Sequence, residues 1–229
     1  MWWEVLLQLV TPDSADKCTT LAFQALSCSL AWSDDHKDLI CADGCERFWA
    51  IVRRNSKAAG DFNPAAAAIE LLSDILYSAE QLGDWGYNVE QNGTALVTIV
   101  SEHAAFSSEC VAAAANLVLK ITCIAHELRF GETAIPIRNI LKDLSTCLLR
   151  FRVEDDNDRT DALLDGLCDF IQTDAPVGYL DVRASGVLAA AVSCLATGTE
   201  RLQSYTAYAA AKLVHATYTL APRGSQHLI

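Results

Sequence analysis

A chain of 229 residues with 52% hydrophobic and 20% charged residues is too apolar to stay disordered and long enough to bury a large core. Its formal net charge of −12 opposes sequence-independent nucleic-acid binding, which needs Lys and Arg against phosphate, and opposes docking on anionic membranes. A basic peptide or a basic protein remains compatible with that charge.

Taken in chain order, helix formers dominate. The first helix centres near Val5 and carries Trp2 and Trp3; its Met-Trp-Trp-Glu opening lacks the basic region and cleavage site of a secretory signal. Turn chemistry at Thr11-Pro12-Asp13-Ser14 separates it from a helix centred near Leu26. Ser33-Asp34-Asp35 then precedes a helix near Trp49. Asn63 followed by Pro64 reads as an N-cap with proline at the first helical position, opening an Ala-rich helix centred near Leu72. Beyond the Gly83–Gly93 break, Thr94–Val100 is the one strand candidate, and its neighbours argue for a helix there, centred near Val97. Further helices centre near Leu117, Ser145, Leu167, Ala189 and Leu213. The breaks between them fall at Gly131-Glu132, Glu154–Asp158, Thr173–Gly178 and Thr197–Thr199. Thr199-Glu200 reads as the opening of the last helix, with acidic charge on its positive end. No apolar stretch runs for about 18 residues without polar interruption, so no membrane span is expected.

The helices fall into pairs, and the pairs recur. Second helices centred near Leu26, Leu72, Leu117, Leu167 and Leu213 stand 46, 45, 50 and 46 residues apart. First helices near Val5, Trp49, Val97, Ser145 and Ala189 keep a similar interval. The predicted fold is all-α, an α-α superhelix (solenoid) of about five helical-hairpin repeats of roughly 46 residues, forming one domain over residues 1–229 or part of a longer solenoid. Glu109-Cys110-Val111-Ala112-Ala113-Ala114-Ala115-Asn116-Leu117 resembles the third helix of an armadillo repeat, and the chain as a whole resembles the armadillo/HEAT superfamily. That resemblance implies a right-handed superhelix whose concave face binds extended peptides or other proteins. It also puts Leu21, Ala67, Ala112, Ala162 and Tyr208 at the Trp place of the nuclear import receptors of that superfamily, and Ala25, Leu71, Asn116, Gly166 and Lys212 at their Asn place. Only Asn116 matches, so the peptide-gripping asparagine ladder is not expected.

Chemical motifs are sparse. Asp34-Asp35-His36-Lys37-Asp38 fits a DDxxD pattern, in which carboxylates one turn apart share magnesium on a diphosphate substrate. A second metal motif and a basic clamp are missing, and N-capping accounts for the pair of aspartates at a helix start. The helical magnesium-dependent enzyme acting through Asp34, Asp35 and Asp38 is therefore the alternative reading. Glu154–Asp161 superficially resembles a calcium loop, yet Asp161 stands where glycine is needed and Leu167 where glutamate is needed; an acidic loop capping the next helix explains it better. His36, Cys41 and Cys45 lack a fourth zinc ligand. No nucleophile elbow or phosphate-cradling glycine loop occurs, so no catalytic residue, metal or cofactor is assigned. Asn92-Gly93-Thr94 is a glycosylation sequon. The nine cysteines are odd in number and form no CxxC. Cys18, Cys28, Cys110, Cys123, Cys147, Cys168 and Cys194 sit singly in apolar helical runs, where a thiol acts as a small hydrophobe. Free thiols in a reducing compartment, cytoplasm or nucleus, follow.

In a repeat solenoid the second helices line a continuous face. The exposed positions expected there, and hence the predicted partner-binding residues, are Glu70, Asp74, Glu109, Asn116, Asp165, Asp169, Tyr208 and Lys212. Their acidity points to a protein or peptide segment bearing Lys or Arg. Trp2 and Trp3 on a terminal helix suggest a second surface, for self-association, unless their rings pack on the next helix.

Overall fold

The computed structural model describes residues 2–11, 14, 16–30, 35–55, 62–76, 89–127, 137–172, 178–195 and 203–221. Eleven α-helices occupy them: α1 (Trp2–Leu9), α2 (Asp16–Leu30), α3 (Asp35–Asn55), α4 (Pro64–Ile75), α5 (Thr94–Ser101), α6 (Ser108–Glu127), α7 (Ile137–Val153), α8 (Asn157–Gln172), α9 (Tyr179–Ser185), α10 (Val187–Leu195) and α11 (Gln203–Leu220). No strand occurs among the described residues. Thr94–Val100 is helical, led by a π-helical turn at Val89–Gly93. The segments 128–136 and 196–202, with the expected breaks at Gly131 and Thr197 and the expected helix opening at Thr199-Glu200, lie outside the described residues, as does most of the break at Thr173–Gly178.

The chain divides into two compact units, Met1–Val118 and Leu119–Ile229. In the first, α1 packs on α2 and α3 on α4, the expected pairs; α2 also packs on α4 and α1 on α3, so like helices of successive pairs lie side by side. Phe23, Leu26, Phe48, Ile51, Ile69 and Leu72 are at most 1% exposed and form its core. The Phe23 and Phe48 rings meet edge to face at 5.3 Å. Gly44 makes room for that ring, since a Cβ there would stand 2.4 Å from Phe48 Cζ.

The second unit repeats the scheme. α7 packs on α8 and α10 on α11 as pairs, while α8 packs on α11 and α7 on α9 and α10 as like helices. Leu144, Phe151, Leu163, Leu167, Phe170 and Leu213 are fully buried. Here the first helix of the last pair departs from the sequence reading: it is broken at Gly186 into α9 and α10. Gly186 has φ +85°, the left-handed conformation that ends a helix cheaply only when no side chain is present. Ser145 Oγ seals the break by donating to the Ser185 carbonyl at 3.1 Å.

Capping chemistry sets the helix starts. Asn63 accepts from the Ala66 amide at 3.0 Å and precedes Pro64, as the sequence predicts. Asp156 caps α8 by accepting from the Arg159 amide at 3.2 Å and from the Arg159 guanidinium, so the acidic loop is a cap. The apolar window Ser108–Ala125 of α6 has mean hydropathy 1.5 and is long enough to cross a bilayer, but 72% of it is buried within the protein, as in a core helix.

Candidate functional site

Two of the second helices, α4 and α6, are buried on nearly every side and leave a narrow polar strip; α8 and α11 are more open. On α4 every residue is buried except Glu70, Ser73 and Asp74, one turn apart on one face. On α6 the half-buried positions between Glu109 and Cys123 are Glu109, Asn116, Lys120 and Cys123, again one stripe. On α8 the strip carries Asp158, Asp161, Asp165 and Asp169, and on α11 Tyr208 and Lys212 share a face. All eight sequence-predicted residues lie on these faces, and Tyr208 is 61% exposed.

The structure brings some of them together. Lys212 Nζ donates to Asp165 Oδ1 at 3.2 Å and lies 5.9 Å from the Tyr208 ring centroid. The bond to Asp165, reinforced by its charge, holds Lys212 above the usual lysine range. In the first unit Glu70 and Glu109 both face Cys110; burial, then Glu109, then Glu70 push that thiol up to about 12. Asp74 accepts from Ser27 Oγ at 2.5 Å, and the Ser27–Asp74 and Asp165–Lys212 ties both span 47 residues, close to the interval expected from the sequence between second helices. Asn63 Nδ2 donates to Ser107 Oγ at 2.9 Å across 44 residues, joining the caps of α4 and α6. Asn116 Oδ1 is buried and has no hydrogen-bond partner among the described residues.

Sequence reasoning missed one concave site in the second unit. A cavity of about 330 Å³ opens at the head of α8, walled by Arg152 of α7, Asp155 of the turn, Asn157 and Thr160 of α8, Cys194 of α10 and Thr206 of α11. Asp155 reaches φ +55° in that turn. Thr206 is 7% exposed, and its Oγ1 and Asp161 Oδ1 are buried atoms without a hydrogen bond. Their contact falls short of bonding geometry, although the hydroxyl is close enough to moderate the Asp161 pKa. Burial dominates and raises that carboxyl above 3.8, helped by Asp165 and Asp158. The i, i+4, i+8 run Asp161-Asp165-Asp169 is visible in the sequence; Thr206 facing it is not.

Several expectations need correction or fall elsewhere. Cys18 and Cys28 are exposed, because α2 buries the stripe Thr19, Ala22, Phe23 and Leu26 and both thiols lie off it. Cys45, Cys110, Cys147, Cys168 and Cys194 are buried free thiols, and burial pushes Cys147 up to about 12. Trp3 is 5% exposed, so its ring packs inside the first unit, while the side chain of Trp2 lies outside the described residues. A second cavity, about 300 Å³, lies beside Trp3 and Leu7, where Arg47 Nη1 donates to the Leu7 carbonyl at 3.3 Å. Asn92 of the sequon is 1% exposed and accepts from Arg53 Nη1 at 2.6 Å, which leaves no room for a glycan. Asp35 and Asp38 lie on α3 but their side chains, like all of Asp34, are outside the described residues, so the diphosphate motif acquires no geometry. No protein-family profile matches this chain, and no curated protein matches it.

Proposed function

We propose that the helical pairs are repeats of an armadillo/HEAT-like solenoid and that the protein is an interaction scaffold holding a basic segment of a partner protein along its second helices. The observation that carries this reading is the recurrence, in both units, of like helices packed side by side, with an acidic strip left open on α4 in the first and on α8 in the second. Glu70, Asp74 and Glu109 supply the strip in the first unit, Asp165 and Asp169 in the second. Tyr208 adds an exposed aromatic beside a cation, the kind of rigid anchor that interfaces favour. Exposed carboxylates of this kind act mainly on encounter, raising association rate and salt dependence.

The test is association of acetyl-octalysine-amide with the wild type and with the E70Q/D74N/D165N/D169N variant across ionic strengths. The expected result is association slowed several-fold at low salt, with a flatter salt dependence. Unchanged kinetics in a variant of intact helicity contradict the reading.

A further inference from the structure

One side of the first helical pair is apolar and open. On α2, Phe23 points inward and meets the Phe48 ring of α3, so Leu21 and Ala25, about half a turn round from it, lie on the side turned away from α3 and α4. Cys18 and Cys28 extend that row by one turn at each end, and all four residues are exposed, Leu21 by 47%. On α1, Trp3 and Leu7 are buried beside Arg47 of α3, with Glu4 and Gln8 on the same side; Val5 and Leu9 stand opposite, both exposed, and widen the apolar side. None of these six exposed residues is charged. Lys17, next to Cys18, is turned over the Phe62 ring at 5.3 Å.

Two observations select a second copy of the chain as what covers this side. A protein of net charge −12 repels its own copies, so an uncharged side is where two of them can meet. The row is also its own complement. Positions 18 and 28, and positions 21 and 25, are placed symmetrically about residue 23, the midpoint of α2 (Asp16–Leu30). Two α2 helices laid antiparallel therefore set Cys18 against Cys28 of the other copy, and Leu21 against Ala25, a large side chain against a small one. The spacing of three, four and three residues is that of a seam between helices crossing at a shallow angle. We propose that this side is a self-association surface through which two copies pair about a two-fold axis, their α2 helices antiparallel. By helix dimensions α1 and α2 offer on the order of 700 Å² over both copies, below the roughly 1,200 Å² of a stable complex, so the dimer is weak. At micromolar concentration the copies separate and both thiols stand open. The inference is independent of the scaffold reading.

The experiment is sedimentation of the wild type, L21E and V192E, followed by diamide oxidation and mass spectrometry of chymotryptic peptides. Between about 10 μM and about 1 mM, a range suited to weak association, the wild-type mass is expected to rise from 24.8 kDa toward twice that value. L21E should remain a monomer. V192E, which places the same charge on an exposed residue of α10, should behave as the wild type. Leu21 is half exposed, so unchanged circular dichroism and melting temperature are expected in L21E and separate loss of pairing from loss of fold. Oxidation at the high concentration should give a covalent dimer linked between Cys18 and Cys28. Within one copy these cysteines stand about 15 Å apart along α2, beyond the roughly 7 Å that a disulfide spans, so the bond must join two copies. Monomer mass throughout, a dimer that survives L21E, loss of pairing in V192E as well, or a dimer oxidised without the Cys18–Cys28 link overturns the proposal.

Discussion

At the scale of single residues, the consequential groups are those whose environment opposes their chemistry. Asp161 is held protonated to higher pH than an unfolded aspartate, chiefly by burial and then by Asp165 and Asp158 on its own helix, with Thr206 of α11 opposing. Because the folded-state pKa is raised, stability attributable to Asp161 is present below about pH 3.8 and falls as pH rises through the folded value. Asp161→Asn removes the charge and keeps the shape. Its melting temperature should exceed that of the wild type at pH 7, and the difference should vanish below pH 4 in a denaturation series. A difference independent of pH would assign the effect to packing. Thiol chemistry separates along the same lines. Cys18 and Cys28 should react with a polar alkylating reagent within minutes, while Cys110 and Cys147, buried and pushed up to about 12, should resist until unfolding; mass spectrometry of the native labelled protein checks this.

At the scale of elements, most helices are legible in the sequence because their causes are local. Apolar spacing locates α5, α6 and α7 about Val97, Leu117 and Ser145, and Asn63-Pro64 announces α4 by chemistry that needs no tertiary contact. The break at Gly186 is not legible: a single glycine between Ser185 and the apolar run Val187–Ala191 is compatible with continuous helix, and the bond from Ser145 to the Ser185 carbonyl that accompanies the break is a tertiary contact. Gly186→Ala should therefore cost about 1–2 kcal/mol, the penalty of a side chain at positive φ, since the added Cβ meets only Ser145 Oγ at 3.5 Å. Denaturant titration measures it; a neutral effect would mean that the junction has another conformation. Asn63→Ala loses both the cap on α4 and the bond to Ser107, so a loss of about 1–2 kcal/mol is expected. Asn63→Ser retains a cap and should recover part of that loss.

At the scale of the molecule, the candidate strip was legible and its internal pairing was not. Helical spacing suffices to place Glu70 and Asp74, or Tyr208 and Lys212, on one face. It does not reveal that Ser27 reaches Asp74 or that Lys212 reaches Asp165, because these ties depend on the stagger between successive second helices. Nor does it reveal the cavity, which four helices and a turn of the second unit assemble. Part of the acidic excess of the sequence, −12 overall, lies on these strips, where Glu70 and Asp169 stand exposed and Asp165 pairs with Lys212.

Carboxyl footprinting tests the central claim most directly: carbodiimide-coupled labelling of Asp and Glu with glycine ethyl ester, with and without saturating acetyl-octalysine-amide, read residue by residue by mass spectrometry. The account predicts protection of Glu70, Asp74, Glu109, Asp165 and Asp169, with unchanged labelling of the exposed carboxylates Glu4, Glu46 and Glu102, which lie off the strips. Equal protection of both groups, or protection confined to Glu4, Glu46 and Glu102, would contradict it.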